Sequence, residues 1–165
     1  MQRLLFVSNR LPVSIIKKKG SLHYSQSAGG LATGLSSFYQ NYESLWLGWP
    51  GMITTNPDAR QEIGSKLISQ NMYPVFLSRS QIEKYYEGFS NKTIWPLFHY
   101  FTQYTLYDKS LWQTYRNVNK IFCDEVLKVA KPNDIIWIHD YQLMLLPKLI
   151  REKRPDSTIG FFLHI

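Results

Sequence analysis

Short, almost solid apolar runs alternate along this chain with segments whose apolar residues recur at helical spacing. Arg3 to Ser8 is the first such run, Ser44 to Trp49 the second, and Tyr73 to Leu77 the third. Asp134 to His139 and Ile159 to His164 complete the set. Runs without polar alternation are strands buried on both faces, as a parallel sheet requires. Between them, Leu31, Leu35, Phe38 and Tyr42 predict a helix over 31–41, opened by Ser27-Ala28-Gly29-Gly30. Pro57 opens a second helix to about Ser69. Ser78 and Gln81 form a capping box for a helix to about Gly88. Phe89 to Tyr107 is aromatic and broken by Pro96, which predicts short helical pieces. Leu111, Tyr115, Val118, Phe122 and Val126 mark a long amphipathic helix ending before Pro132, and Leu143 to Lys153 another. Val13–Ile16 and Leu22–Tyr24 read as hairpin arms with Lys17 to Lys19 at the tip. Strands alternating with helices predict an α/β domain, doubly wound around a mostly parallel sheet.

The 165 residues suit one domain, and 44% hydrophobic with 15% aromatic residues excludes disorder. One cysteine, Cys123, excludes a disulfide framework or a multi-thiolate metal site. No apolar run approaches the roughly 20 residues of a membrane helix, and the apolar start is too short for a signal peptide. A cytoplasmic protein without membrane partners is expected. The net charge of +7 raises the question of nucleic acid. Its cations are dispersed, apart from the Lys17–Lys19 tip and Arg151, Lys153 and Arg154 at a helix end, where they oppose the helix dipole. No nucleic-acid module is recognisable, and the charge equally suits sugar-phosphate or nucleotide ligands. The last strand stops at Ile165 without a covering helix. That predicts part of a longer chain, with an exposed apolar face favouring self-association.

Open α/β sheets bind ligands beyond the carboxyl ends of their strands, so the residues there are candidates. They are Asn9 and Arg10 after the first strand, Trp49 after the second, His139 and Asp140, and finally His164. Arg10 offers a planar fork for phosphate or carboxylate. Gly29-Gly30 before a helix start permits close approach of an anion, although it equally makes a plain turn. Asp140 is suited to accept hydroxyl hydrogen bonds or to act as a base; the alternative is an N-cap for the segment from Leu143. Trp49, Tyr85, Tyr86 and Trp95 have faces on which sugars stack, though aromatics are also core material. His99 reads as a core histidine. No zinc motif, P-loop or nucleophile elbow is present.

Six segments in order carry a resemblance: Ser8-Asn9-Arg10-Leu11-Pro12-Val13, Ala28-Gly29-Gly30-Leu31, Trp46-Leu47-Gly48-Trp49-Pro50-Gly51, Tyr85 to Asn91, Trp95-Pro96-Leu97-Phe98-His99-Tyr100 and Trp137-Ile138-His139-Asp140-Tyr141. Over Leu4 to Ile165 the chain resembles the N-terminal half of the trehalose-6-phosphate synthases. The resemblance implies one half of a GT-B fold, with 1–165 as the acceptor-side Rossmann-like domain and the C-terminal nucleotide-binding domain absent. It implies retaining transfer of glucose from UDP-glucose to glucose 6-phosphate, without metal or other cofactor. Arg10, Tyr86, Trp95 and Trp49 would then bind the acceptor, with Asp140 on its hydroxyls. Gly29 and Gly30 would face the donor diphosphate. His164 would open the family's H-I-P-F-P-S segment beside the transferred glucose; it and Asp140 are the candidate catalytic residues. Gln142 departs from the family's usual His. The absent half would supply the Arg and Lys that stabilise the departing diphosphate, so these 165 residues alone are expected to be inactive. Two alternatives remain open: a family glucosyltransferase for another phosphorylated acceptor such as glycerol 3-phosphate, and a non-catalytic sugar-phosphate-binding module.

Overall fold

The computed structural model describes residues 2–18, 20–27 and 43–164. Its centre is a five-stranded sheet of β1 (Leu4–Arg10), β4 (Ser44–Trp49), β5 (Met72–Pro74), β6 (Ile135–His139) and β7 (Thr158–Phe162). They lie in the order β5-β4-β1-β6-β7, and every pairing is parallel. The order reverses direction at β1, leaving the crevice between β1 and β6 as the topological switch point. β2 (Val13–Lys18) and β3 (Ser21–Gln26) form the separate antiparallel hairpin, with Lys18 opposite Ser21 and Lys17 and Lys18 exposed. The predicted helix over 31–41 and the Gly29–Gly30 loop lie outside the described residues.

Alternation along β1 sends its side chains to two different cores. Leu5 and Val7 pack with Leu47, Ile136 and Ile138 beneath the helices on one face. Phe6 turns to the other face, with Trp46, the hairpin residues Val13 and Ile15, and Ile63 and Leu67 of α1 (Pro57–Ile68). All of these are fully or almost fully buried. Both sheet faces are therefore covered, which is why the strands read as solid apolar runs.

The first core is roofed by α4 (Lys109–Val129), capped by Asp108, and by α5 (Leu146–Lys153). Tyr115, Val118, Phe122 and Val126 form the buried stripe of α4. Arg3 ties the N-terminal edge: its guanidinium meets both Asp134 carboxylate oxygens, at 3.1 and 2.6 Å, and donates to the Val129 carbonyl at 2.7 Å.

Two expectations change. The third strand runs over Met72–Pro74 instead of Tyr73 to Leu77; the Val75 N–H still donates to the Gly48 carbonyl at 2.8 Å, and beyond it the chain leaves the sheet for the helix capped by Ser78. The helix opened by the Ser78–Gln81 capping box does not stop at Gly88. It runs from α2 (Arg79–Gln81) through a π-helical stretch, Ile82–Ile94, into α3 (Trp95–Phe98). Gly88 sits where a Cβ would lie 2.8 Å from Leu111 of α4, so this glycine permits close helix packing instead of ending the helix. Pro96 falls in the first turn of α3, where its missing N–H costs little.

Candidate functional site

Between Val7 and Arg10 the β1–β4 register shifts: Val7 lies opposite Leu47, but Arg10 lies opposite Trp49. Such an irregularity re-aims the side chain that follows it. The turn is braced from inside, since the Trp46 indole N–H donates to Ser8 Oγ and that hydroxyl donates to the Arg10 carbonyl, each at 2.8 Å. Arg10 is exposed at the strand-end rim, with its guanidinium 5.7 Å from the centre of the Trp49 ring. Gly51, at φ +80°, leaves the space the guanidinium uses; a Cβ there would stand 2.8 Å from Nη2. Trp49 is half-buried, and its indole N–H has no hydrogen-bond partner among the described residues.

Across the switch point, β6 ends in His139, and Asp140 follows it. Asp140 has φ 80° and ψ 165°, a backbone region that side chains other than glycine's rarely enter. Its N–H donates to the Phe162 carbonyl at 2.7 Å. Its carboxylate accepts the Tyr141 N–H at 2.7 Å. Burial raises its pKa above the usual carboxylate value, against the Tyr141 donor and the influence of nearby His164. Asp140 and His164 are thus brought together. The N-cap alternative holds only locally, because the Asp140 side chain caps the single 3-10 turn Tyr141–Leu143. α5 itself starts later, at Leu146. His164 is exposed and packs edge-on against Phe162.

His139 is 1% exposed, beside Phe6, Trp137 and Phe162, and neither ring nitrogen has a partner among the described residues. Burial, with the His164 charge second, pulls its pKa down to about 4. It is a neutral packing group under the rim.

The π-helical stretch supplies the third wall. Its backbone bonds reach five residues back, as from the Trp95 N–H to the Ser90 carbonyl. Such a turn holds a little over four residues, roughly 4.4. Two turns span about nine positions, the separation of Tyr86 and Trp95. Burial follows that period: Tyr85, Ser90 and Ile94 point inward, while Tyr86, Asn91 and Trp95, each one position on, are half-buried or exposed. In an α-helix the Tyr86–Trp95 pair would diverge around the axis. Tyr85 is core and fully buried, with its pKa driven up by burial. Trp95 is 41% exposed and lines an apolar cleft of about 440 Å³ with Asn91, Lys92, Pro96, Phe101 and Tyr104. His99, expected in the core, instead stacks on Trp95 at 4.1 Å and is half-exposed.

Tyr141 joins this wall to Asp140. Its hydroxyl donates to Asn91 Oδ1 at 3.2 Å, and its carbonyl accepts the Tyr115 hydroxyl at 2.7 Å. Burial, then the Asp140 carboxylate and Tyr86, push its pKa up to about 12, so it stays a hydroxyl donor. Gln142, buried, has its carbonyl held by the Asn119 amide at 3.1 Å. Arg10, Trp49, Asp140 and His164 therefore occupy one edge of the sheet, at or just beyond the strand ends, and the π-helix that carries Tyr86 is joined to this edge through Asn91 and Tyr141. The contributions of Asn91 and Tyr141 were not read from the sequence. The nine-residue Tyr86–Trp95 separation, which fits no α-helical period, was the available signal.

The profile of glycosyltransferase family 20 matches residues 2–165. The chain belongs to this family. It is 45% identical to the UDP-forming alpha,alpha-trehalose-phosphate synthase A of Dictyostelium discoideum, over 99% of this chain and 22% of that protein. A UDP-forming trehalose-phosphate synthase from Burkholderia xenovorans in complex with glucose-6-phosphate superposes with a TM-score of 0.76 at 28% identity, covering 99% of this chain and 33% of the other. An E. coli structure bound with UDP-2-fluoro glucose gives 0.75 at 30% identity, over 99% and 33%. This family 20 chain thus spans about a fifth to a third of the length of these relatives, and its sheet matches one half of their GT-B fold. Among the described residues, no helix is long and apolar enough to cross a membrane, and no three His, Cys, Asp or Glu side chains gather as a metal site would require.

Proposed function

We propose that this chain is the acceptor-side domain of a cytoplasmic, retaining glucosyltransferase that joins glucose from UDP-glucose to glucose 6-phosphate, yielding trehalose 6-phosphate and UDP. The observation that carries the reading is that the neighbouring strands β1 and β6 end in the Arg10 fork beside Trp49 and in the Asp140 turn, which Asn91 and Tyr141 tie to the Tyr86–Trp95 helix. Family membership and the glucose-6-phosphate complex of a relative support it.

In this reading the Arg10 guanidinium grips the acceptor phosphate as a bidentate donor. Tyr86 and Trp95 bind the sugar, the ring of Trp95 offering an apolar face. Trp49 lines the same pocket beside Arg10. Asp140, oriented by the Tyr141 N–H on its carboxylate, accepts from acceptor hydroxyls and fixes which oxygen faces the donor. His164 stands beside the transferred glucose, and Gly29 and Gly30 approach the donor diphosphate. A C-terminal domain supplies most of the donor pocket, including cations for the charge that grows on departing UDP. The bond from glucose C1 to the UDP oxygen breaks while the acceptor oxygen bonds to C1 on the same face. The acceptor proton leaves with the departing phosphate. The step invokes no metal.

Product analysis of the full-length protein tests this. With UDP-glucose and glucose 6-phosphate, UDP and a phosphorylated α,α-linked disaccharide should form in equal amounts, undiminished by EDTA. Transfer to glycerol 3-phosphate instead would move the chain to the other acceptor class. Binding of glucose 6-phosphate without any UDP release would make it a binding module. The 165 residues alone should release no UDP.

A further inference from the structure

We propose that Asn91 is a positioning residue for the acceptor: its side-chain oxygen latches the Tyr141 hydroxyl and so fixes the Asp140 turn against the Tyr86–Trp95 face. The inference rests on the reading of this rim as the acceptor site. Three observations carry it. The π-helical period places Asn91 between Tyr86 and Trp95 on the open side of the helix, where it lines the cleft with Trp95. Its Oδ1 accepts from the Tyr141 hydroxyl at 3.2 Å, joining segments 50 positions apart. The other polar groups of Tyr141 are committed elsewhere, its N–H to Asp140 and its carbonyl to Tyr115. The hydroxyl is thus the part of Tyr141 that reports to the π-helix.

Such a latch has work to do here. Asp140 sits at φ 80°, a conformation that persists only where its surroundings over-determine it. β7 holds one side, through the Phe162 carbonyl that accepts the Asp140 N–H. α4 holds the following turn, through Tyr115 and Asn119. The Asn91–Tyr141 bond adds the wall that carries the sugar-stacking rings. Without it, the carboxylate and the aromatic face would each keep their shape but lose their mutual register, and misplacement of an acceptor oxygen lowers binding and rate together.

The test is a double-mutant cycle in the full-length protein, with Asn91→Leu, Tyr141→Phe and both together. Each single change should raise the KM for glucose 6-phosphate about three- to tenfold, the size of one lost hydrogen bond. The KM for UDP-glucose should stay within about twofold, and the double variant should be no worse than the weaker single. A merely structural role would lower the amount of folded enzyme and leave the acceptor KM where it was. Multiplying single effects, or donor and acceptor KM rising in step, would overturn the latch while leaving the acceptor reading intact. A parent protein that transfers nothing to glucose 6-phosphate would sink the reading, and the latch with it.

Discussion

Arg10 reaches the rim through a register shift in β1 and the absence of a side chain at Gly51. Gly51→Ala should therefore act on Arg10 at a distance in sequence. The new Cβ displaces the guanidinium, and the positive φ adds about 1 kcal/mol of strain. A roughly tenfold higher acceptor KM with nearly normal folding is expected in steady-state kinetics. His139 makes a pH prediction. Its folded pKa of about 4 lies below the ordinary value of 6.5, so between those values the unfolded chain binds the extra proton. Its contribution is complete above about pH 6.5 and is lost as pH falls toward 4, on the order of 2–3 kcal/mol. His164 is the charged group acting on it, and opposes protonation as well. Urea midpoints should drop from pH 7 to pH 5 in the parent protein and much less in His139→Phe. At this scale Arg10, Trp49, Asp140 and His164 were legible, because strand ends in a parallel sheet define the rim. His99 was not. A histidine amid aromatics reads as core, whereas here it stacks on a half-open tryptophan.

Among the elements, the strands were legible because burial on both faces leaves no polar alternation to confuse them. β5 ends earlier than its apolar run, because the chain leaves the sheet edge for the helix capped by Ser78. The π-helical stretch was not legible. Gly88 and Pro96 look like breakers, yet one makes room for Leu111 and the other falls in a first turn. The widened period that unites Tyr86, Asn91 and Trp95 is a tertiary choice, set by packing against α4. The start of β1 is tied to the start of β6 by Arg3, whose side chain is 12% exposed, on the Asp134 carboxylate, which is 4% exposed. Removing one partner of such a pair leaves a buried charge alone. Arg3→Met should cost about 3–5 kcal/mol, read as a lowered unfolding midpoint, and Asp134→Asn in the same background should recover part of that loss.

At the scale of the molecule, both faces of the sheet carry buried cores, while Arg10 and His164 are exposed at the strand-end edge. In the proposed reading the fork, carboxylate and aromatic wall line the crevice that a partner domain would cover, where closure would exclude water from the transfer. Phe161 and Phe162 of β7 stand 40% and 45% exposed beside that edge. The central claim is that glucose 6-phosphate binds between Arg10–Trp49 and the Tyr86–Trp95 face. Tryptophan indole N–H signals in the ¹⁵N-labelled full-length protein, assigned by substitution and titrated with glucose 6-phosphate, test it most directly. The Trp49 and Trp95 signals should shift and saturate together, while Trp46, hydrogen-bonded to Ser8 and buried, stays still. Saturating glucose 6-phosphate that leaves Trp49 and Trp95 unmoved would contradict the account.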